Sequence, residues 1–149
     1  MNFILKAAIL TAACVSLALP ASAGQELVAT GPGGNVIEYA RMASNARLRN
    51  TNVRFTGQCA SACTLFLSVP STRSCITRGT SFVFHSARGS NRAFNNWGTE
   101  YLMTQYPSWV QSWINANGGL DRRLLHMDYR YAAQFIPTCN TRMTSRAKS

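Results

Sequence analysis

The chain has 149 residues, of which 46% are hydrophobic, and a formal net charge of +10. This length suits one domain with a core of its own. The positive charge favours anionic partners such as nucleic acid, lipid head groups or cell-envelope polymers, and the stronger alternative is a cationic exported protein whose charge reflects an arginine-rich proteome. The arginines, however, spread from Arg41 to Arg146 without a dense block. Specific nucleic-acid binding needs basic residues clustered with stacking aromatics, so the composition disfavours that class.

Residues 1–23 have the pattern of a secretory signal peptide. Lys6 precedes an apolar stretch over residues 7–19, and Ala21-Ser22-Ala23 has the small-x-small form of a cleavage site. A membrane anchor is the alternative, but the apolar stretch is shorter than the roughly 20 residues that span a bilayer. We therefore expect a periplasmic or secreted protein of 126 residues without a transmembrane anchor.

The first half of the exported chain alternates between strand and helix patterns. A strand is predicted over residues 26–30, followed by the breaker run Gly31-Pro32-Gly33-Gly34 and a helix over residues 35–48. A second strand over residues 53–56 leads into a helical pattern that ends before Pro70. A buried strand follows over residues 82–84. This order predicts an α/β fold of repeated βα units with a layered sheet.

The second half is predicted to be mainly helical. Residues 88–96 form a polar loop, and residues 97–117 form a helical region that Pro107 breaks or kinks. A last helix is expected over residues 120–135. The domain then spans residues 24–136, and residues 137–149 form a basic, flexible tail.

Four cysteines follow the signal peptide, namely Cys59, Cys63, Cys75 and Cys139. In an exported chain they indicate two disulfides, with three possible pairings. Zinc is the alternative for the Cys59-x3-Cys63 spacing, but no second short pair accompanies it, and we expect no metal. Because Cys59 and Cys63 lie about one helical turn apart, we expect more distant pairs, Cys63 with Cys75 and Cys59 with Cys139.

Ser61 stands where a predicted strand turns into a predicted helix. The free amide groups of a helix N-terminus could stabilise an anion that forms at this hydroxyl. The alternative is that Ser61 only caps the helix and satisfies those amides with its own oxygen.

His85 ends the buried strand, and adjacent parallel strands would bring it close to Ser61. The alternatives are a histidine at the edge of the core for His85 and, more strongly, a structural role for His126. Among five acidic residues, Asp128 is the best candidate to orient a histidine base, although an ion pair with Arg123 or Arg130 is equally open. Lys148 is the only lysine after the signal peptide, which effectively excludes a serine–lysine dyad.

Three segments together resemble the proteolytic subunit of the Clp protease and, more closely, exported Clp-protease-like proteins of the crotonase superfamily. They are Gly31-Pro32-Gly33-Gly34-Asn35-Val36, Gly57-Gln58-Cys59-Ala60-Ser61-Ala62-Cys63 and Phe82-Val83-Phe84-His85. The resemblance covers residues 27–85 well and residues 119–133 only loosely. Family segments expected at both ends are missing from this chain. The trimmed sheet would leave an edge that self-association could cover.

The resemblance implies that Ser61 attacks, His85 is the base and Asp128 orients it. It also implies that the amides of Gly34 and Ala62 hold the oxyanion. We therefore expect a serine hydrolase, peptidase-like and without a cofactor, that acts on a peptide or other acyl bond. The alternative is a non-catalytic binding or structural relative whose basic surface engages the cell envelope. A secreted nucleic-acid binder ranks last.

Overall fold

The computed structural model describes residues 24–140, so the predicted signal peptide and residues 141–149 lie outside the described chain. Five strands and four α-helices follow one another in this part: β1 (Glu26–Gly31), α1 (Val36–Leu48), β2 (Asn52–Ala60), β3 (Ser74–Ile76), β4 (Ser81–Phe84), α2 (Arg92–Gln105), α3 (Ser108–Ala116), β5 (Leu125–Met127) and α4 (Tyr129–Ala132). Two 3-10 helices, Ser61–Ser68 and Ser71–Arg73, lie between β2 and β3.

The sheet has the order β1-β2-β4-β5, and β3 pairs with the first half of β2. Strands β1, β3 and β4 all run parallel to β2, whereas β5 runs antiparallel to β4. The predicted α/β class is therefore confirmed as a mixed five-stranded sheet with helices. Parallel neighbours β2 and β4 end at the same edge of the sheet, which sets the positions of Ser61 and His85.

The predicted first strand and first helix are confirmed. Gly31 ends β1 with a φ of 104°, a left-handed conformation that favours glycine. Asn35 then caps α1, and its Oδ1 accepts hydrogen bonds from the amides of Ile37 (2.9 Å) and Glu38 (3.3 Å). The glycine-rich turn therefore begins where Gly31 ends β1 and finishes where Asn35 caps α1.

The predicted break at Pro107 is confirmed, but the predicted loop over residues 88–96 is too long. Helix α2 ends at Gln105 and α3 begins at Ser108. At its other end, α2 begins at Arg92, because Asn91 Oδ1 accepts a hydrogen bond from the Phe94 amide (2.9 Å) and caps the helix. The polar composition of this stretch indicated a loop, whereas Asn91 supplies a helix start within it.

The predicted helix over residues 120–135 is wrong. Residues Leu125 and Met127 are buried on either side of the exposed His126, which is the two-residue alternation of a strand. They form β5, in which Leu125 pairs with Phe84 and Met127 with Phe82. Only the short helix α4 follows. Pairing with β4 thus overrides the local helical pattern.

The core lies around the buried aromatic residues of β2 and β4. The rings of Phe55 and Phe82 meet edge to face with centroids 5.1 Å apart, and Phe84 meets Tyr106 in the same way at 5.5 Å. Residues of α2 and α3, among them Leu102 and Ile114, close the core on this side. Within residues 24–140, no helix combines the length and the apolar character needed to cross a membrane.

The disulfides join Cys75 to Cys139 and Cys59 to Cys63, so the predicted pairing is wrong. The bond between Cys75 and Cys139 spans 64 positions. Backbone hydrogen bonds accompany it, from the Ile76 amide to the Pro137 carbonyl (3.0 Å) and from the Cys139 amide to the Ile76 carbonyl (2.9 Å). The start of the basic tail is thus attached to β3 as far as Cys139.

Replacing both Cys75 and Cys139 by serine should lower the free energy of unfolding by about 4 kcal/mol. The crosslink restricts the unfolded chain over a long loop, which gives an estimate of this size. Urea denaturation of the oxidised protein measures the change, with peptide mapping of the wild type to confirm the Cys75–Cys139 pair. An unchanged denaturation midpoint, or a mapped Cys63–Cys75 peptide, would contradict this account.

Candidate functional site

Ser61 occupies a left-handed backbone conformation at the point where β2 ends. Its φ is 54°, a region that costs a residue with a Cβ about 1–3 kcal/mol. Strand β2 runs to Ala60, and the 3-10 helix Ser61–Ser68 follows without a linker. The predicted strand-to-helix turn is therefore present, with a 3-10 helix in the second position. A sharp turn of this kind is also how α/β-hydrolases expose a nucleophile.

A disulfide between Cys59 and Cys63 brackets this turn, and we call residues 59–63 the Ser61 turn. The Cα atoms of the two cysteines are 5.4 Å apart, because the chain reverses at Ser61 and returns Cys63 to the end of β2. The prediction failed here because it assumed a regular helical turn between the cysteines. Both cysteines are fully buried, so the bond that joins the two ends of the turn is part of the core.

The side chain of Ser61 does not cap the helix that it begins. Ala60 occupies the N-cap position, and no side-chain hydrogen bond caps this helix. Among the described residues, the Ser61 hydroxyl has no hydrogen-bond partner, although its carbonyl accepts one from Thr64 Oγ1 (2.6 Å). The structure therefore disfavours the capping interpretation and leaves the hydroxyl available for other partners.

A buried pair of hydroxyl groups supports the Ser61 carbonyl. Thr64 Oγ1 lies 2.6 Å from Tyr106 Oη, and both residues are buried. Because the Thr64 hydroxyl has one proton and donates it to the Ser61 carbonyl, the Tyr106 hydroxyl must be the donor to Thr64. Burial raises the pKa of Tyr106, so the phenol stays protonated at neutral pH and can donate to Thr64.

Gly33 packs directly against the Ser61 turn from the glycine-rich segment. Its φ is 81°, and a Cβ placed there would lie 2.8 Å from the Ala62 amide nitrogen and 3.0 Å from Ser61 Cβ. Only a glycine allows this close approach of the two backbones. The contact brings the Gly33-Gly34 backbone next to the first amides of the 3-10 helix, which have no acceptor within the helix.

Ser61, His85 and Gly34 line one cleft of about 170 Å³, which we call the Ser61 cleft. The strand register explains why Ser61 and His85 line the same cleft. Ala60 on β2 pairs with Val83 on β4, and both strands end within two residues of this pair. The buried Leu102 and the half-exposed Phe94 of α2 form its apolar side. His85 Nδ1 lies 2.7 Å from the Ser86 carbonyl oxygen.

Two expected contacts are not made in the described chain. Ser61 and His85 share the cleft, but no hydrogen bond joins their side chains. Asp128 lies beyond the other end of β4, where it borders Ser81, about 13 Å along the strand from His85. There its Oδ1 accepts a hydrogen bond from the Tyr131 amide (2.9 Å) and caps α4. His126 is exposed on β5, not on a helix.

The structure adds Gly33, Thr64 and Tyr106 to the residues that sequence reasoning found. The breaker run already pointed to Gly33, whereas nothing in the sequence connects Thr64 to Tyr106, which lies 42 positions away. Within residues 24–140, no group of three or more His, Cys, Asp or Glu side chains could hold a metal ion. No family model matches the chain, and no curated protein matches it.

Replacing Gly33 by alanine should destabilise the protein far more than the same change at Gly79. Both glycines have nearly the same φ, 81° and 82°, but an added Cβ meets nothing within 4 Å at Gly79. We expect a loss of about 1 kcal/mol for Gly79→Ala from the backbone conformation alone. Gly33→Ala should lose about 3 kcal/mol, because the Ser61 turn must also shift.

Urea denaturation of the two variants measures this difference, and Gly79→Ala is the matched control. Equal losses for the two variants would contradict the packing of Gly33 against the Ser61 turn.

Proposed function

We propose that this protein is a serine hydrolase that acts on a peptide or other acyl bond. The observation that carries the proposal is the Ser61 cleft, in which a serine on a strained, disulfide-bracketed turn shares one small space with His85 and Gly34. A strained backbone conformation lowers stability and persists only where the surrounding structure maintains it. Such conformations are concentrated at functional sites. Here a disulfide and a buried hydroxyl pair maintain a conformation that a purely structural serine does not require.

The reaction would follow the usual order for a serine nucleophile. Ser61 Oγ attacks the substrate carbonyl carbon while His85 Nε2 takes the hydroxyl proton. The leaving group departs with that proton, and water then releases the acyl group by the same route. A rotation of the Ser61 or His85 side chain must first close their hydrogen bond, as is common between a free enzyme and its substrate complex.

In this proposal the Ser86 carbonyl orients His85 in place of a carboxylate. A carbonyl oxygen only accepts, so the 2.7 Å contact puts the proton of neutral His85 on Nδ1 and leaves Nε2 as the acceptor. Orientation of the base was the role expected of Asp128, which instead caps α4. The proposed machinery is thus a Ser61–His85 dyad with a backbone acceptor behind the histidine.

The oxyanion would be held by backbone amides on either side of Ser61. Ala62 follows the nucleophile and belongs to the first turn of the 3-10 helix, and Gly34 lines the same cleft. Amides fixed in such positions stabilise the negative charge of a tetrahedral intermediate. The close approach of Gly33 to the Ala62 amide nitrogen supports this assignment, because it places the backbone that leads into Gly34 next to Ala62.

The proposed class is the exported Clp-protease-like group of the crotonase superfamily. The glycine-rich turn, the Ser61 turn and the histidine at the end of β4 occur in the order that the resemblance requires. Two disulfides suit an oxidising compartment outside the cytosol. In the described chain, strand β1 pairs only with β2, so its other side is an edge of the sheet without a partner strand. The proposal therefore includes self-association of two copies at this edge.

A second candidate is a non-catalytic relative that binds an anionic component of the cell envelope. The missing hydrogen bond between Ser61 and His85 favours it, as does the distance of Asp128. In that case the Ser61 turn and its disulfide serve only as scaffold.

Labelling with a fluorophosphonate probe, which reacts with activated serines, tests the proposal. The oxidised wild type should be labelled at Ser61, and Ser61→Ala should reduce labelling to background. His85→Gln should slow it by at least about a hundredfold, because the general base is lost. Ser71→Ala and His126→Gln are the matched controls, since both residues are exposed and lie outside the Ser61 cleft. Both controls should label like the wild type.

A folded wild type that is not labelled would overturn the hydrolase and favour the non-catalytic relative. Labelling that survives in Ser61→Ala would place the reactive group elsewhere. Circular dichroism of each variant establishes that a loss of labelling does not reflect unfolding.

A further inference from the structure

A larger cleft of about 520 Å³ opens beside the Ser61 cleft, and we call it the arginine cleft. The segment after β4, the first turns of α2 and the loop before β5 line it, with Arg88, Arg92 and Arg122 among the lining residues. Ala87 and Arg88 line both clefts. A substrate bound at Ser61 can therefore extend into the arginine cleft without leaving the surface.

The arginine cleft has a strongly positive lining. None of its lining residues is acidic, although all five acidic side chains of the chain lie in the described part. In residues 24–140, Arg54 pairs with Glu26 and Arg123 pairs with Asp121, so neither ion pair uses an arginine that lines the cleft. The N-terminus of α2, which begins at Arg92, adds its partial positive charge.

Hydrogen bonds hold parts of this lining in place. The Arg88 guanidinium donates to the Arg122 carbonyl, which links two of the segments that form the cleft. Asn95 Nδ2 donates to the Gly89 carbonyl (2.9 Å), and Thr99 Oγ1 accepts from the Ala87 amide (3.0 Å). Asn95 Oδ1 is buried without a partner among the described residues. The cleft thus has a fixed framework with charged side chains around it.

We propose that the arginine cleft binds a carboxylate of the substrate close to the scissile bond, so that the protein prefers peptides with a carboxylate at this position. This inference rests on the proposed hydrolase, whose acyl substrate it narrows to a class. Guanidinium groups bind carboxylates through paired hydrogen bonds, and three of them around one cleft favour a ligand with more than one carboxylate oxygen. The carboxylate can belong to an acidic side chain or to a peptide C-terminus.

The aromatic residues of α2 favour a peptide over a nucleic acid. Phe94, Trp97 and Tyr101 follow one another along the helix, with centroids 5.3 Å apart for both neighbouring pairs. The rings of Trp97 and Tyr101 stack on each other, so a ring face that a base needs is already covered. Phe94 also lines the Ser61 cleft, where it offers an apolar wall to a substrate side chain.

Binding of three fluorescent hexapeptides to the Ser61→Ala protein tests the inference, because no turnover is needed. The first peptide carries two glutamates and an amidated C-terminus, and the second has glutamines at the same positions. The third has the glutamines with a free C-terminal carboxylate. Fluorescence anisotropy should show at least about tenfold tighter binding of the first or third peptide than of the second. The tighter of those two identifies the source of the carboxylate.

The arginine variants locate the site. Arg92→Gln and Arg122→Gln should each weaken binding of the preferred peptide about threefold to fivefold, as for exposed ion pairs. The double variant should reach about tenfold or more. Arg130→Gln is the matched control, because this exposed arginine lies near Asp128 at the far end of β4, and it should bind like the parent protein.

Equal binding of all three peptides would overturn the inference. Equal weakening by Arg130→Gln would also overturn it, because only the overall charge would then matter. Tighter binding of a single-stranded oligonucleotide with the same charge would assign the cleft to nucleic acid. Arginine-dependent peptide binding without fluorophosphonate labelling of the wild type would overturn the hydrolase and leave a carboxylate-binding cleft. Labelling without arginine-dependent binding would overturn the cleft alone.

Discussion

The Cys59–Cys63 disulfide around a left-handed Ser61 is the feature on which the site depends. A serine with a φ of 54° is unfavourable alone, and the chain would relax toward an extended or helical conformation. The disulfide, the Thr64–Tyr106 hydroxyl pair and the packing of Gly33 all act on this one turn. Together they fix the backbone of the turn that carries Ser61, and a preorganised backbone of this kind is what the proposed catalysis needs.

The sheet supplies the second half of the arrangement. Because β2 and β4 are parallel neighbours, the residues that follow them reach the same edge of the sheet, where Ser61 and His85 line one cleft. Helix α2 then closes one side of the Ser61 cleft and, through its first turns, forms part of the arginine cleft. A small fold thus places the proposed nucleophile and a cluster of arginines side by side.

The sequence predicted the parts of the site that local patterns encode. The glycine run, the strand before Ser61 and the apolar run before His85 each have a local signature, and their elements lie where expected. The errors arose where tertiary pairing decides. Pairing with β4 makes a strand of residues 125–127, moves Asp128 to the far end of that strand, and so removes the expected third member of the triad. The cysteine pairing failed because a positive φ at a serine leaves no signal in the sequence.

The rate of phosphonylation of Ser61 in the oxidised protein, compared with the rate in a Cys59→Ala/Cys63→Ala variant, shows whether the disulfide holds Ser61 in a reactive position. Tandem mass spectrometry assigns the label to its residue, and circular dichroism establishes that the variant is folded. We expect the wild type to be labelled at Ser61 and the variant to react at least about tenfold more slowly, because the turn is no longer held. A wild type without label at Ser61, or a folded variant that reacts equally fast, would contradict this expectation.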